Sequence, residues 1–465
     1  MGDFKAVYYG ARCLIEHRDP YKETEFLRVY QAHGEGFPSD PAMSHSFRRA
    51  IPVCINLPTS LFLIAPMTLF TWGQAYKLWM ILEAGCLIFA SFLAWDLAGE
   101  DAPGISLTLI CILLANSELL FSCGNLAGIA VSLCVVAIWC FIEERFMLPG
   151  VVCLAVSIAM KPHDAGFIWL YLMLAGTTLR KRALQTLIVT VLLCLPAVLW
   201  VSHVAPHWIA EMHSNLLSTS LHGDLNDPGP DSLSGHTAAS IIDLQSVISV
   251  FRDDPQIYNP VSYLLCGALL LTSMLTTLRS RCSKGKPWLA LAAIVPISLL
   301  VTYHRPYDAK LLLLTVPAVV MLWAEGGPIG WVALVVNTTG IVFTGDISLA
   351  TLAIVTRSLH EVPLGLPAVI RTVILTRPSS LTLLVMGVFY LWVYVQRAPA
   401  SRDQTGLVSM IGGGMFERAE PNQTSKLMSL IRSRIRLGFP SIATKSKAVI
   451  RLDGPTHPTS TGRNP

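Results

Sequence analysis

Charge is scarce in this chain. Of its 465 residues, 14% are charged and 53% are hydrophobic, and mean hydropathy is +0.55. That balance excludes an ordinary soluble enzyme of this length. Short alternating strands are also missing. The apolar runs are continuous, which excludes a transmembrane β-barrel. The eleven Cys show no CxxC or CxxH spacing. Most lie inside apolar runs, among them Cys86, Cys111, Cys134, Cys153, Cys194 and Cys266, and they read as small core residues. The first twenty residues are polar, so no signal peptide is visible. No internal repeat is present.

What remains is a membrane pattern. Apolar stretches run from 56–72 through 78–97, 104–122, 125–142, 147–160, 164–178 and 183–203, then from 259–279 to 379–396. Several are shorter than the roughly 20 residues of a full span. The composition predicts an all-α, polytopic integral membrane protein of about 10–12 transmembrane or re-entrant helices. Expected regions are an external N-terminal loop (1–55), a first membrane helix group (56–203), an external loop (204–258), a second helix group (259–396) and a basic tail (397–465). Lys161-Pro162-His163-Asp164 interrupts 147–178, and Pro162 ends or kinks any helix there. Residues 345–378 read as an exposed loop with an interfacial helix.

The tail holds eleven Lys+Arg and four Asp+Glu, a charge of +7, leaving −3 for the rest of the +4 chain. It is expected to be largely disordered, with a basic amphipathic piece at 426–437 suited to an anionic membrane surface. Basic loops face the cytoplasm. Arg180-Lys181-Arg182, Arg279 to Lys286 and the tail therefore put 204–258 and 303–310 outside.

Tyr303-His304-Arg305-Pro306-Tyr307-Asp308-Ala309-Lys310 lies between two uncharged apolar runs. Ionisable side chains at the edge of a span are costly, and such a cluster reads as a functional site. At the start, Asp3, Tyr8 and Tyr9 precede an Asp19-Pro20-Tyr21 turn. Aromatic faces that stack on sugar rings and carboxylates that accept hydroxyl protons make this a candidate sugar-binding surface, although Asp-Pro-Tyr is also an ordinary turn. Glu83 and Glu118 fall within apolar runs and suit protonated core residues, helix ends or a proton path. The His and Asp residues of 204–258 lack HExxH or regular spacing, so neither a metal nor a cofactor is expected.

The Asp3-Phe4…Tyr8-Tyr9 opening, the Asp19-Pro20-Tyr21 turn, Asn56-Leu57-Pro58, Gly124-Asn125, Met160-Lys161-Pro162 and the 303–310 segment together resemble glycosyltransferase family 87. The resemblance runs from Asp3 to about Gln396. That family belongs to the GT-C class of membrane enzymes and includes mannosyltransferases. The resemblance implies an inverting transfer of a hexose, mannose by preference, from a polyprenyl-phosphate sugar to a lipid or glycan acceptor. The reaction would occur at the external face of a bacterial inner or plasma membrane, with membrane lipids but no nucleic acid as partners. Asp3 matches the family's general base. In the family a transmembrane helix precedes that base, so the chain is expected to lack a first helix ahead of Asp3. The leaving phosphate needs cations. Arg305 is the first candidate, then Lys310 and Lys161, with His304 bonding phosphate or sugar. Tyr307 and Asp308 join Tyr8, Tyr9, Asp19 and Tyr21 as expected substrate contacts. Lys161 also reads as a snorkelling lysine, and Asp308 more readily as an ion-pair partner of Arg305 or Lys310. The rival class is a transporter or flippase of a polyprenyl-linked or anionic solute.

Overall fold

The computed structural model describes residues 2–33, 53–98, 101–224, 226–230, 241–280, 287–346 and 365–398. These residues form helices and no strands, an all-α polytopic architecture. Among the described residues, five helices are long and apolar enough to cross a membrane: Trp72–Ala98, Pro103–Cys123, Thr178–Val204, Pro255–Arg279 and Pro378–Arg397. Shorter apolar helices pack among them, including Ala127–Ile142, Met147–Met160 and Pro287–Val301. The expected piece at 426–437 and most of the 345–378 loop lie outside the described residues.

Proline sets many helix starts. Pro58, Pro103, Pro162, Pro255 and Pro378 each stand in a first turn, where the missing N–H costs nothing and the ring pre-sets φ. The expected break at 161–164 is a junction of two helices, Met147–Met160 and Pro162–Leu174, with Lys161 extended between them. Lys161 therefore occupies a gap in the helical ladder.

The helix Pro287–Val301 is buried along nearly its whole length, from Leu289 to Leu300. A helix apolar on every side belongs inside a bundle. Its partner Pro378–Arg397 crosses it closely at Gly387, where an added Cβ would meet Ile297 Cγ1 at 2.7 Å. Small residues of this kind let membrane helices approach without a side chain between them. The helix Thr178–Val204 is the opposite case. Leu184, Ile188, Leu192, Leu195 and Leu199 face outward, and only 17% of its apolar window is buried. That outward stripe is the surface a bilayer would cover.

The N-terminal segment departs from expectation. Instead of a loop, residues 2–33 hold the helices Gly2–Ile15 and Glu23–His33. They pack against 54–79 through an aromatic cluster. Phe4 stacks on Trp79 with ring centroids 4.7 Å apart, and Tyr9 meets the Tyr30 ring at 4.8 Å. Polar composition hid this helix because its aromatic and alanine positions carry the burial.

Candidate active site

Three chain segments meet at the C-terminal end of the buried helix Pro287–Val301. The first is the opening turn of Gly2–Ile15, which carries Asp3. The second is the break at Lys161. The third is the loop 302–307 leading into the 3-10 helix Asp308–Thr315.

Gly124 prepares the meeting. It ends the short helix Glu118–Cys123 in the left-handed region, φ 62°, where a side chain would be strained. A Cβ there would also press Phe4 Cβ at 3.1 Å. Trp79 Nε1 donates to the Gly124 carbonyl at 3.1 Å. The chain then turns so that Asn125 precedes Ala127–Ile142, whose first N–H it accepts at 2.9 Å.

Asn125 Nδ2 donates to Asp3 Oδ2 at 2.6 Å, and Asn125 Oδ1 accepts from Lys161 Nζ at 3.3 Å. Lys161 in turn donates to Asp308 Oδ1 and lies 3.6 Å from Asp164 Oδ2. The Tyr307 ring faces the same ammonium at 5.1 Å. Burial opposes the charge of Lys161, but Asp164 and Asp308 outweigh it and raise its pKa. Asp308 Oδ2 accepts the backbone N–H of Arg305 at 2.8 Å, which closes the 305–308 turn. The Arg305 guanidinium donates to Tyr303 Oη and reaches Asn226 Oδ1 at 3.3 Å. Asp3, Asn125, Lys161, Tyr303 and Arg305 are all half-buried, so the row lies at the surface of the fold.

Below it lies a buried pair. His304 Nδ1 sits 2.8 Å from the Thr302 carbonyl, and its Nε2 faces Asp164 Oδ1 at 3.5 Å. Burial lowers the His304 pKa, but Asp164 and Asp308 prevail and raise it. An imidazolium donates from both nitrogens and fits this position.

The predicted residues thus divide. Asp3, Lys161, Arg305, Tyr307 and Asp308 come together, and the 204–258 loop joins them through Asn226. Lys310 does not. It is buried and donates to the Leu113 and Asn116 carbonyls at the end of Pro103–Ala115. His304 is fully buried under the row, with no exposed face. Asp308 takes Lys161 as its ion-pair partner, whereas Arg305 or Lys310 was expected. Tyr8, Tyr9 and Tyr21 are buried rings, not open stacking platforms. Tyr8 Oη donates to Phe70 O at 2.7 Å and Tyr21 Oη to Asn56 O at 2.8 Å. Asp19 accepts the Tyr21 N–H at 2.9 Å in a local turn. It lies beyond the far end of the 14-residue first helix, roughly 20 Å along the axis from Asp3.

Glu83 is buried, with no hydrogen bond to its carboxylate among the described residues, and Glu118 is an exposed helix-start residue. Asn125, Asp164 and Tyr303 stood in motifs read from sequence but were given no role there, and Asn226 was not singled out. A polar residue directly after Gly and directly before an apolar run was the available signal for Asn125.

Two groups of described residues have donors spaced for a cation, His163–Asp164–His304 and His222–Asp227–Asp253. In the first, the Lys161 ammonium already faces Asp164. In the second, Asp227 already accepts from Gly223 N, Gly229 N and Tyr258 Oη.

Helices and site together define a polytopic membrane protein with an acid and two cations gathered at helix ends. The chain belongs to glycosyltransferase family 87, whose family model matches residues 55–303. It is therefore a membrane glycosyltransferase acting on a sugar donor and an acceptor. The matched stretch contains Asn125, Lys161 and Asp164 and ends just before His304. Neither a curated protein nor a solved structure matches the chain.

Proposed function

We propose that the protein transfers a hexose, mannose by preference, from a polyprenyl-phosphate sugar to a lipid or glycan hydroxyl at the external face of a cell membrane. The observation that supports this most is the short row from a half-buried carboxylate, Asp3, through one amide to a cation, Lys161, with Arg305 beside it. The acceptor oxygen attacks the anomeric carbon and its proton passes to Asp3. The bond from that carbon to the phosphate oxygen breaks, and the phosphate leaves as a dianion facing Lys161 and Arg305. Attack opposite the leaving group inverts the anomeric centre. A sugar hydroxyl is a poor nucleophile at neutral pH, so a placed base contributes about 10²-fold or more. Cations preorganised at the leaving oxygens supply a comparable share.

The test supplies membranes with radiolabelled polyprenyl-phosphate mannose and lipid acceptors. Wild type should form labelled glycolipid, and Asp3→Asn should lose it at equal protein level. Full activity of Asp3→Asn would remove Asp3 as the base. A wild type that only moves labelled donor across vesicles would replace the transferase reading by a transporter.

A further inference from the structure

We propose that Asn125 is the positioning residue of the reaction, holding the Asp3 carboxylate in register with Lys161 and directing proton transfer to Asp3 Oδ1. This rests on the function proposed above.

The argument starts from the two ends of a carboxamide. The oxygen only accepts and the nitrogen only donates. Around Asn125 stand two donors, the Lys161 ammonium and the Ala127 N–H, and one acceptor, the Asp3 carboxylate. Reversing the amide would set donor against donor twice and acceptor against carboxylate once. The surroundings therefore determine its orientation, independently of how the atoms were assigned.

That orientation has two consequences. The 2.6 Å bond from Asn125 Nδ2 ties Asp3, on Gly2–Ile15, to the start of Ala127–Ile142, and it is charge-assisted. It also engages only Oδ2. Oδ1 receives no hydrogen bond among the described residues, which leaves it open to a hydroxyl proton. Meanwhile the same amide touches the lysine that faces the departing phosphate. One rigid group thus spans the proton-accepting and phosphate-facing halves of the site. Gly124 and the Ala127 N–H hold that group from behind. Reactions between two bound partners depend steeply on such registration, and displacement by about 1 Å can cost about 10²-fold.

The test uses Asn125→Asp, which keeps shape but turns the donor facing Asp3 into a second carboxylate. Turnover should fall by about 10²-fold with little change in KM for the polyprenyl-phosphate donor. The acidic limb of its kcat–pH profile should move to higher pH by about one unit, as a like charge opposes ionisation. Asn125→Gln retains both ends on a longer stem and should recover part of the turnover. Asp3 is followed independently, by its labelling with a water-soluble carbodiimide across pH, read by mass spectrometry. Its midpoint should rise in Asn125→Asp. The proposal is overturned if that midpoint and the profile match wild type, or if lost turnover tracks only lost folded protein. Should wild type transfer no sugar at all, the function proposed above fails, while the labelling shift still decides whether Asn125 governs Asp3.

Discussion

Two lysines enter buried ground in this protein, and their surroundings differ. Lys161 stands in a helix break with its side chain 13% exposed, facing Asp308, Asp164, Asn125 and the Tyr307 ring. Lys310 is sealed off and spends its donors on carbonyls that end another helix. A cation held by carboxylates at an open edge can exchange partners with an arriving phosphate. A cation held by helix carbonyls closes that helix, because those groups have no partner within it. The two aspartates around the first helix repeat the contrast. Asp3 reaches across 122 residues of chain to Asn125, whereas Asp19 binds its own turn two residues on.

The largest break in this comparison is expected at the open edge. Lys161→Ala should lower transfer by about 10²-fold or more, since it removes a preorganised charge and strands Asp308 beside Asp164. Arg305→Lys should lose about 10-fold, because an ammonium keeps the charge but not the planar fork. Assays in membranes at matched protein level check both, and near-wild-type turnover in either would remove it from the phosphate site.

Lys310→Met should behave differently. It removes a donor from two helix-end carbonyls, of which Leu113 O keeps Ser117 Oγ at 3.0 Å, and should destabilise the fold by about 1–3 kcal/mol. Turnover per folded molecule should stay within about threefold of wild type, since Lys310 touches no group of the site. Thermal midpoints and turnover measured together sharpen the contrast. A collapse of turnover with an unchanged midpoint would erase it.

The smallest effect is expected at the Asp19 end. A hydrogen bond with Asp19, then burial, pushes the Glu211 carboxyl up to about 7. A raised carboxyl favours the protonated folded state, so its stabilisation is complete below the ordinary carboxyl range and is lost as pH rises through about 7. Glu211→Gln should flatten the decline of the thermal midpoint between about pH 5 and 8, by on the order of 1 °C. Equal slopes in wild type and variant would show that the pair does not form.

Much of the fold was legible, because insertion depends on hydropathy, a property of each stretch by itself. The break at Lys161 was legible for the same local reason, since Pro162 cannot continue a helix. The motif 303–310 was legible as a polar cluster but not in its parts. Asp308 and Lys310 begin a 3-10 helix, and at three residues per turn two positions apart point about 120° away from each other. One turned to Lys161 and the other to a distant helix end. Tyr8, Tyr9 and Tyr21 misled for a related reason. An aromatic beside a carboxylate reads the same whether its ring is open to a sugar or buried against Trp72. Asn125 stood in the Gly124-Asn125 pair and Asn226 in no motif, and neither was given a role because an Asn beside a turn does not show which distant group it will meet.

By itself, the sequence determined that the chain is helical, that a helix breaks at Pro162, and that 303–310 would carry charge at the end of an apolar run. Only the tertiary structure decided which charges meet. Lys161 finds Asp308 across 147 residues, and the choice of Lys161 over Lys310 depends on which helix ends pack side by side. Composition and spacing act over a few turns. Partner selection is made where close-packed helices leave room for one polar group and not another.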